Sequence, residues 1–355
     1  MLVHLIILNY NGRRLLPECL PSILRAADAS RHRCDVVIID NSSTDESLSW
    51  LSENYPLVRV IRCPNLGLCS YNDVVPRLCG PDPSDNVAVL LNNDIKLHPG
   101  AIDPLIDPLL VSDTTCFMTA PRCRRFDDAT YEGFRTAVRW RWGLVQATAL
   151  YPGHEATVGM PGQTASAGAV MAVDCRKFVE LGGFDPLYLP GRLEDLDFAF
   201  RAYRAGYHAC YVPHALCWHK GMATFEAAFG THACDEMALR NTLLFQWKNL
   251  RDPANIARQI FGAAVRSVAD VIRAPWTPWP RRWSFVRALV SAWKRKKKMD
   301  DQGHAWHGGE PHFIAVRRER DYFRRFHPNA DELNADEPLA DQHQLQIIAK
   351  VDTWS

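Results

Sequence analysis

The sequence lacks the two glycine-rich motifs by which many nucleotide-dependent enzymes are identified. No G-x-G-x-x-G follows the first apolar run, and no G-x-x-x-x-G-K-[ST] occurs anywhere in the 355 residues. The first motif lets the backbone approach a dinucleotide pyrophosphate, and the second holds the phosphates of a nucleoside triphosphate. Their absence removes the main support for a dinucleotide-dependent dehydrogenase or a P-loop enzyme.

Paired cysteines at metal-binding spacing are also absent, as is a strong net charge. The 11 cysteines include no C-x-x-C pair, which favours buried thiols in a reducing compartment over a disulfide framework or a structural zinc site. The apolar run that begins the chain is too short to span a bilayer and carries no basic leader or cleavage signal. The formal net charge of +1 excludes no class of partner. We therefore expect a cytoplasmic protein.

The first 94 residues alternate between β-prone runs and helical periodicity. Helical spacing occurs at about 14–27 and 48–54. The polar residues Asn9, Asp40 and Asp94 stand at the ends of three of the β-prone runs. This order predicts an α/β fold with a doubly wound sheet, which binds ligands at the carboxyl ends of its strands. The β-prone runs, which suit strands buried on both faces, cover residues 2–8, 34–40, 57–63 and 86–94.

Seven short motifs follow one another along the chain. They are ILNYNG (7–12), VIIDNSSTDES (37–47), NLGLCSYN (65–72), LLNNDIKLHPGAI (90–102), SAGAVMAVDCRKFVELGGFD (166–185), EDLDFAFRAYRAGY (194–207) and WH (218–219). Their order resembles that of the family-two glycosyltransferases, and most closely the rhamnosyltransferase-like branch that builds bacterial surface polysaccharides. The resemblance covers roughly residues 1–250. It implies the GT-A nucleotide-diphospho-sugar transferase fold, a Rossmann-like mixed sheet flanked by helices.

The reaction implied by the resemblance is an inverting transfer of a sugar from a nucleotide-diphospho-sugar. The donor would be dTDP-rhamnose-like or a UDP-sugar, and the acceptor a hydroxyl of a glycan or of a lipid-linked acceptor. Such a displacement needs an anchor for the nucleotide, a divalent cation on the leaving diphosphate and a general base on the acceptor. The residues that the resemblance assigns to the nucleotide are Asn9, Asn11, Asp40, Asn65, Asn72 and Asn93. For Asp40, a role in a turn or a helix cap is the alternative.

One carboxylate stands at the family's metal motif, which is often written D-x-D. Asp94 matches its last position, whereas Asn92 and Asn93 precede it here. Mg²⁺ is held by one or two carboxylates together with phosphate oxygens and water, so one carboxylate is sufficient. His219 matches the downstream histidine of the family, although a single histidine also fits a structural role. The resemblance therefore implies that Asp94 and His219 bind Mg²⁺ or Mn²⁺.

Three acids crowd the first turn of a predicted helix. Glu194, Asp195 and Asp197 would oppose the positive end of the helix dipole, but acids this close repel one another unless a cation or a proton-transfer task occupies the site. The resemblance makes Asp195 the general base, held in orientation by Glu194, with the crowding favouring proton abstraction. We interpret Asp197 as a structural acid paired with Arg201 one turn later.

Small residues and one arginine are expected near the donor sugar and the acceptor. Ser166, Ala167 and Gly168 bring small side chains and backbone close to where the resemblance places the sugar. Arg192 stands two residues before Glu194, where relatives often carry an aromatic residue. The resemblance therefore implies that Arg192 alters the sugar pocket or the acceptor pocket.

The character of the sequence changes after about residue 252. Residues 273–298 contain nine Lys or Arg, four Trp and no acid. A solvated basic helix fits this composition. Nucleic-acid binding also fits the charge, but no nucleic-acid module is recognisable, so we expect no nucleic-acid partner. Indoles favour the bilayer interface, and each basic residue near an anionic surface adds about 1 kcal/mol. We therefore expect this segment to attach the protein peripherally to the inner face of the cell membrane.

We predict three segments in the chain. They are a catalytic domain over 1–252, a helical, basic and Trp-rich extension over 253–328, and an acidic linker and tail over 329–355. The tail contains a strand-like run at 345–351, which either pairs with another element or belongs to a further domain.

Two other classes of function stay open. One is a catalytically silent, nucleotide-binding scaffold of a polysaccharide-assembly complex. Asn92 and Asn93 favour it, whereas the joint presence of Asp40, Asp94, Asp195 and His219 argues against it. A nucleotidyltransferase also uses an α/β sheet and a metal. It usually carries a glycine-rich basic loop after the first strand, and NYNGRR at 9–14 resembles one poorly.

Overall fold

The computed structural model describes residues 1–80, 86–111, 114–221, 229–277, 279, 281–303 and 317–329. Within them the strands are β1 (Leu2–Asn9), β2 (Arg33–Asp40), β3 (Arg59–Arg62), β4 (Asn86–Asn92), β5 (Ile95–Leu97), β6 (Cys116–Arg125), β7 (Tyr131–Gly133), β8 (Ala137–Arg141), β9 (Leu144–Thr148), β10 (Gly162–Thr164), β11 (Val170–Asp174) and β12 (His208–His219). The helices are α1 (Leu16–Ala29), α2 (Ser47–Asn54), α3 (Ser70–Cys79), α4 (Ile102–Ile106), α5 (Cys175–Glu180), α6 (Glu194–Arg204), α7 (Thr231–Asn249), α8 (Pro253–Arg273), α9 (Ser284–Asp301) and α10 (Glu319–Arg325).

A mixed sheet organises the described part of the chain. Its strands lie in the order β10–β12–β6–β11–β4–β1–β2–β3, with β5 added to β12 and β7 to β6. β1 pairs in parallel with both β2 and β4, and β2 pairs in parallel with β3. β11 runs antiparallel between β4 and β6. The parallel part places the carboxyl ends of β1, β2 and β4 along one edge, which is where α/β sheets bind ligands.

The strands expected in the first 94 residues are confirmed, with ends that shift by at most two residues. The central side chains of β1, β2 and β4 are buried. A continuous apolar run without polar alternation is typical of a strand that is covered on both faces. The predicted α/β class is therefore confirmed as well.

A disulfide joins two cysteines that the sequence analysis takes to be free. Cys79 at the end of α3 is bonded to Cys175 at the start of α5, so the expectation of thiols alone is wrong for this pair. The other nine cysteines are not disulfide-bonded, and seven of them are buried. The bonded residues are 96 positions apart in the sequence. Packing of α3 against α5 brings them together, and sequence spacing does not reveal that packing.

The C-terminal helices pack in one hydrophobic core with elements of the sheet domain. Phe285 of α9 and Tyr322 of α10 lie in a buried cluster with Val138 of β8 and Phe200 of α6. The rings of Tyr322 and Phe200 meet edge to face, with centroids 4.9 Å apart. Apolar packing therefore joins the helical extension to the catalytic domain. The division at residue 252 stays a prediction, and the predicted acidic linker and tail after residue 329, with the run at 345–351, lies outside the described residues.

The buried charge of Asp197 anchors α6 to α7. Asp197 is fully buried and accepts hydrogen bonds from Arg201 Nε at 2.8 Å and from Lys248 Nζ at 2.8 Å. Lys248 Nζ also lies 2.7 Å from a carboxylate oxygen of Asp185. Burial acts to raise the pKa of Asp197, but Lys248 and Arg201 outweigh it and lower that pKa. The structural pairing of Asp197 with Arg201 is thus confirmed.

We expect Lys248→Met to lower the free energy of unfolding by about 3–5 kcal/mol, because it leaves the fully buried Asp197 and the partly buried Asp185 without their shared cation. Lys294→Met, at an exposed position of α9, is the control and should change it by no more than about 0.5 kcal/mol. Urea unfolding at neutral pH measures both. In the wild type the stability from Asp197 is present above the unfolded pKa of about 3.9 and is lost as pH falls through the lower folded value. Equal unfolding midpoints for the two variants would contradict this role.

Candidate active site

A cavity of about 1150 Å³ opens where the chain leaves the carboxyl ends of β1, β2 and β4. Its wall includes Tyr10 after β1, Asn41 after β2 and Asp94 after β4. Asp195 of α6 and His219 at the end of β12 contribute to the same wall. The structure therefore brings the two predicted metal ligands and the predicted base into one cavity.

Asp94 and His219 are in direct contact. A distance of 3.3 Å separates Asp94 Oδ2 from His219 Nε2. The contact follows from the sheet, since β5 pairs with the end of β12 and places Ile95 opposite His219. Burial acts to lower the pKa of His219, but hydrogen bonds with Asp94 and Glu132 raise it to about 10. Without a cation the imidazole is therefore protonated at neutral pH and holds both carboxylates.

Glu132 belongs to this centre and was missed by the sequence analysis. Its Oε1 lies 2.9 Å from His219 Nδ1, on the side of the ring away from Asp94. Its Oε2 is buried and has no hydrogen-bond partner among the described residues. A carboxylate on one imidazole nitrogen orients the ring so that the other nitrogen faces a metal. No local signal in the sequence marks Glu132; the pairing of β7 with β6, and of β6 with β12, places it beside His219.

The donor atoms of this centre fit a hard divalent cation. Asp94 offers a carboxylate oxygen and His219 offers Nε2, while Glu132 orients the imidazole and keeps a buried oxygen unpaired. Mg²⁺ and Mn²⁺ accept such ligands together with phosphate oxygens and water. Asp94 and His219 would therefore hold the cation that the sequence analysis expects.

A second group of metal-ligand side chains lies elsewhere in the described residues. The ligand atoms of Cys116, His208 and Cys210 are within 4.8 Å of one another, and all three residues are buried. His208 begins β12 and His219 ends it, so this group lies at the opposite end of the strand from the cavity. It takes no part in the candidate active site.

Asp195 is held by groups other than the one expected. Its Oδ2 accepts a hydrogen bond from Ser166 Oγ at 2.7 Å and another from the backbone N–H of Gly168 at 3.2 Å. Gly168 has a φ of +70°, and a Cβ there would lie 2.4 Å from the Phe134 ring, so the position requires glycine. The expectation that Glu194 orients Asp195 is corrected: Ser166 and Gly168 do so, because the loop before β11 reaches the start of α6.

The crowding of carboxylates at the start of α6 changes the pKa of Glu194. It is 8% exposed, and its Oε2 has no hydrogen-bond partner among the described residues. Burial first, and then the charge of Asp195, raise the pKa of Glu194 to about 8. Glu194 is therefore protonated at neutral pH. The geometry leaves Asp195 as the carboxylate able to take a proton there.

The loop that leads into α6 is strained and is held by a residue of α7. Arg192 and Leu193 have φ angles of +82° and +69°, which non-glycine residues adopt only where the surroundings compensate. The Nδ2 of Asn241, a buried residue, donates to the carbonyls of Gly191 and Arg192, each at 2.8 Å. Asn241 was also missed by the sequence analysis, since a polar residue inside a helix does not reveal its partners.

The strand-end residues assigned to the nucleotide form a buried network under the cavity wall. Asn9 Nδ2 donates to Asp40 Oδ1 at 3.1 Å, and Asp40 Oδ2 accepts from the N–H of Ser43 at 3.1 Å. Asn93 Nδ2 donates to Asn9 Oδ1 at 3.0 Å. Asn93 lines the cavity, whereas Asn9 and Asp40 are buried. In the structure Asn9 and Asp40 support the wall from beneath through hydrogen bonds with each other and with their neighbours, and their direct contact with a nucleotide stays a prediction.

The other predicted contact residues also fall into two groups, those that line the cavity and those whose side chains bind other parts of the chain. Asn65 and Arg192 line the cavity. Asn11 binds the loop after β2 through Thr44, whose N–H donates to its Oδ1 at 2.7 Å. Asn72 is a correction, because its amide donates to the carbonyl of Phe184 at 2.7 Å and accepts from its N–H at 2.8 Å. Ala167 is a second correction: it is fully buried and is not part of the wall.

Comparison with known families gives one assignment. The family model described as "Glycosyltransferase like family 2" matches residues 2–234 of the chain. An N-acetylglucosaminyl-diphospho-decaprenol L-rhamnosyltransferase of Mycobacterium tuberculosis is 26% identical over 216 residues, which are 55% of this chain and 70% of that protein. A Drosophila melanogaster protein, provisionally described as polypeptide N-acetylgalactosaminyltransferase 10, is 23% identical over 217 residues, 58% of this chain. The match spans only 34% of the Drosophila protein.

Comparison with solved structures supports the fold. A crystal structure of GalNAc-T7 with UDP, GalNAc and Mn²⁺ superposes with a TM-score of 0.52 at 19% identity, over 87% of this chain and 56% of the other. At this identity the likeness concerns the fold. The GT-A fold expected from the sequence is therefore confirmed.

Proposed function

Because this chain belongs to glycosyltransferase family 2, we propose that it is an inverting, metal-dependent enzyme that transfers a sugar from a nucleotide-diphospho-sugar to an acceptor hydroxyl. The observation that carries this proposal is the Asp94–His219 pair in the same cavity as Asp195. A cation site and a general base in one cavity are the two devices that the reaction requires.

The donor end of the cavity is the end built from the strand loops. Tyr10, Asn41 and Asn65 line it and would bind the nucleotide, and Asn93 is positioned by Asn9 beneath the wall. When bound by Asp94 and His219, the divalent cation would neutralise the charge of the leaving diphosphate. The fold of a relative solved with UDP, GalNAc and Mn²⁺ is consistent with this arrangement.

The acceptor end is the side of Asp195. Both hydrogen bonds that Asp195 accepts from described residues fall on Oδ2, which leaves Oδ1 for the acceptor hydroxyl. As the acceptor oxygen bonds to the anomeric carbon, Oδ1 takes its proton, and the bond from that carbon to the diphosphate breaks. One displacement of this kind inverts the anomeric centre. Ser166 and Gly168 keep Asp195 in place while its charge changes.

The biological setting that we propose is bacterial surface polysaccharide synthesis, with a dTDP-rhamnose-like or UDP-sugar donor and a glycan or lipid-linked acceptor. The support is the likeness to the mycobacterial rhamnosyltransferase. A catalytically silent scaffold is the alternative, favoured by Asn92 on the cavity wall in place of a metal-motif aspartate. Turnover separates the two proposals, since a scaffold binds nucleotide without releasing sugar.

Attachment to the inner face of the cell membrane through residues 273–298 is part of the proposal. Trp276 and Trp279 are 80% and 76% exposed, and Lys294, Lys297 and Lys298 are exposed on α9. None of the helices in the described residues is long and apolar enough to cross a bilayer. Surface attraction between these lysines and anionic lipid should be screened by salt over about 10 Å at 0.1 M.

A thermal-shift panel of nucleotide sugars and nucleoside diphosphates, with and without Mn²⁺, tests the proposed function. Nucleotides of one nucleobase should raise the melting temperature, and Mn²⁺ should make this increase in melting temperature larger. A ligand at about 100 times its dissociation constant stabilises the folded state by about 2.7 kcal/mol. Slow hydrolysis of the same nucleotide sugar should accompany binding. If no nucleotide changes the melting temperature in either condition, the assignment of this cavity to a nucleotide-sugar donor is wrong.

A further inference from the structure

Helix α8 is oriented opposite to the usual arrangement of a surface helix. Its apolar side chains face outward: Ile260, Phe261 and Val271 are 66%, 72% and 63% exposed. Asn255 and Gly262 are its buried residues. A helix on a protein surface normally turns its apolar stripe towards the core, and an exposed apolar patch of this kind marks an interaction surface. The apolar stripe of α8 consists of Ile256, Ile260, Phe261, Val265, Val268, Val271 and Ile272.

The other face of α8 carries arginines that line the active-site cavity. Arg266 and Arg273, two helical turns apart, contribute to the cavity wall together with Arg141 at the end of β8. Arg266 donates to the carbonyls of Arg141 at 3.0 Å and Trp142 at 2.8 Å. A Cβ on Gly262 would lie 2.3 Å from Gly143 Cα, so helix and hairpin meet through two glycines. These contacts hold α8 with its arginines inward and its apolar stripe outward.

Acids near this wall offset its positive charge only in part. Burial first, and then the charge of Arg141, lower the pKa of Arg266, while the charge of Asp270 acts to raise it. The guanidinium groups of Arg141 and Arg266 therefore repel one another. The arginine ion pairs among the described residues do not include Arg141 or Arg273. Guanidinium groups bind phosphate through paired, charge-assisted hydrogen bonds. An anionic group in this part of the cavity would therefore relieve the repulsion.

The surroundings of the apolar stripe favour a bilayer as its partner. Trp142, beside α8, and Trp276, just beyond its end, are 72% and 80% exposed, and indoles favour the membrane interface. The segment 273–298 adds nine basic residues and no acid, which complements anionic lipid. A second copy of this chain would bring like charge against that segment, so we commit to the lipid surface.

We infer that the acceptor is a lipid-linked phosphate or diphosphate. The apolar stripe of α8 lies in the membrane interface, and Arg141, Arg266 and Arg273 bind the acceptor's phosphate where it enters the cavity. This inference rests on the proposed function, because Asp195 in the same cavity is the base that the acceptor hydroxyl must reach. One helix then serves both parts of an amphiphilic acceptor: its outer face contacts the lipid and its inner face binds the phosphate.

Binding of farnesyl diphosphate tests the phosphate site. Calorimetry without divalent cations, so that the metal centre does not attract the diphosphate, should show that the wild type binds farnesyl diphosphate more tightly than farnesol or inorganic diphosphate. The double variant Arg141→Gln/Arg273→Gln should bind it roughly tenfold more weakly, a change that corresponds to about 1.4 kcal/mol. Arg281→Gln, an exposed arginine of the same basic segment outside the cavity wall, is the matched control and should bind as the wild type does.

The outcomes separate this inference from the proposed function. Equal affinity of the double variant and the wild type, or equal binding of farnesol and farnesyl diphosphate, overturns the phosphate site. Preference for inorganic diphosphate would indicate a free anion instead of a lipid-linked one and would also overturn it. The nucleotide thermal shift of the double variant reports on the proposed function separately, since Arg141 and Arg273 take no part in the metal centre.

Vesicle sedimentation tests the apolar stripe. Phe261→Ser/Ile272→Ser changes two exposed side chains, and circular dichroism should confirm that it folds. The wild type should sediment with phosphatidylglycerol-containing vesicles, with a part that resists high salt, and the double variant should lose most of that salt-resistant part. Leu57→Ser removes a 98% exposed leucine far along the chain and should sediment as the wild type does. If the double variant keeps the salt-resistant part, the stripe does not contact lipid and the inference fails.

Discussion

Asp195→Asn is expected to lower the rate of sugar transfer by roughly 10²–10⁴-fold, the usual contribution of a general base, with little change in the affinity for the nucleotide sugar. The asparagine can still accept the hydrogen bonds of Ser166 and Gly168 that Asp195 now accepts, so the start of α6 should keep its geometry. It cannot take the acceptor's proton. Steady-state kinetics with a soluble acceptor analogue and calorimetry of donor binding measure the two effects separately.

Glu194→Gln is the matched comparison for that variant. Because the pKa of Glu194 is raised to about 8, its neutral form is present at pH 7, and glutamine imitates that form. The loss of transfer should therefore be much smaller than in Asp195→Asn. Transfer at nearly the wild-type rate by Asp195→Asn would show that another group accepts the proton.

The same pKa predicts how stability depends on pH. The unfolded chain loses the Glu194 proton near pH 4.3, whereas the folded chain keeps it up to about pH 8. Between those values the folded state binds more protons, so the contribution of Glu194 to stability falls as pH rises and levels off above about 8. Glu194→Gln should remove this fall. Denaturant unfolding of both proteins at pH 5, 7 and 9 checks it, and parallel pH profiles would contradict the raised pKa.

Asp94→Ala is expected to abolish the part of nucleoside diphosphate affinity that depends on Mn²⁺. It removes the one carboxylate of the metal motif, since Asn92 and Asn93 precede it, and it takes from His219 its partner at Nε2. Glu132→Gln, which alters only the group that orients His219, should weaken Mn²⁺-dependent binding by about 10–100-fold, as loss of an outer carboxylate partner usually does. Asp94→Ala should lose more of the Mn²⁺-dependent affinity than Glu132→Gln does.

Calorimetry of nucleoside diphosphate binding with Mn²⁺ and with a chelator measures these effects. Asn92→Ala, also on the cavity wall, is the control and should keep the Mn²⁺ enhancement, because an amide is not required where Asp94 supplies the carboxylate. Equal enhancement in Asp94→Ala and the wild type would place the cation elsewhere. Enhancement lost in Asn92→Ala as well would point to a general change in the shape of the wall.

The sequence by itself determined the α/β class, the parallel strands of the first half and the residues at their ends. These properties depend on local patterns: a continuous β-prone run such as 2–8 is typical of a strand that is covered on both faces, and parallel strands bring their carboxyl ends to one edge. Asp94, Asp195 and His219 were identified because the ordered motifs that contain them resemble those of a known family, and the structure places the three residues in one cavity.

Only the tertiary structure decided how these residues are supported. Glu132 reaches His219 through strand pairing, Asn241 reaches the loop before α6 from a distant helix, and Ser166 replaces Glu194 as the partner of Asp195. Asn72 was expected at the nucleotide but is committed to Phe184. Each of these contacts joins segments far apart in the sequence, so no local periodicity encodes it.

The orientation of α8 is the clearest case of a property that the sequence pattern alone did not predict. Its sequence has the spacing of an ordinary amphipathic helix, which predicts an apolar face without saying what that face meets. The glycine contact between Gly143 and Gly262 and the hydrogen bonds of Arg266 turn its arginines inward. A periodic pattern determines that a helix has two faces, and packing determines which of them faces solvent, because that choice depends on the energy of contacts with the rest of the chain.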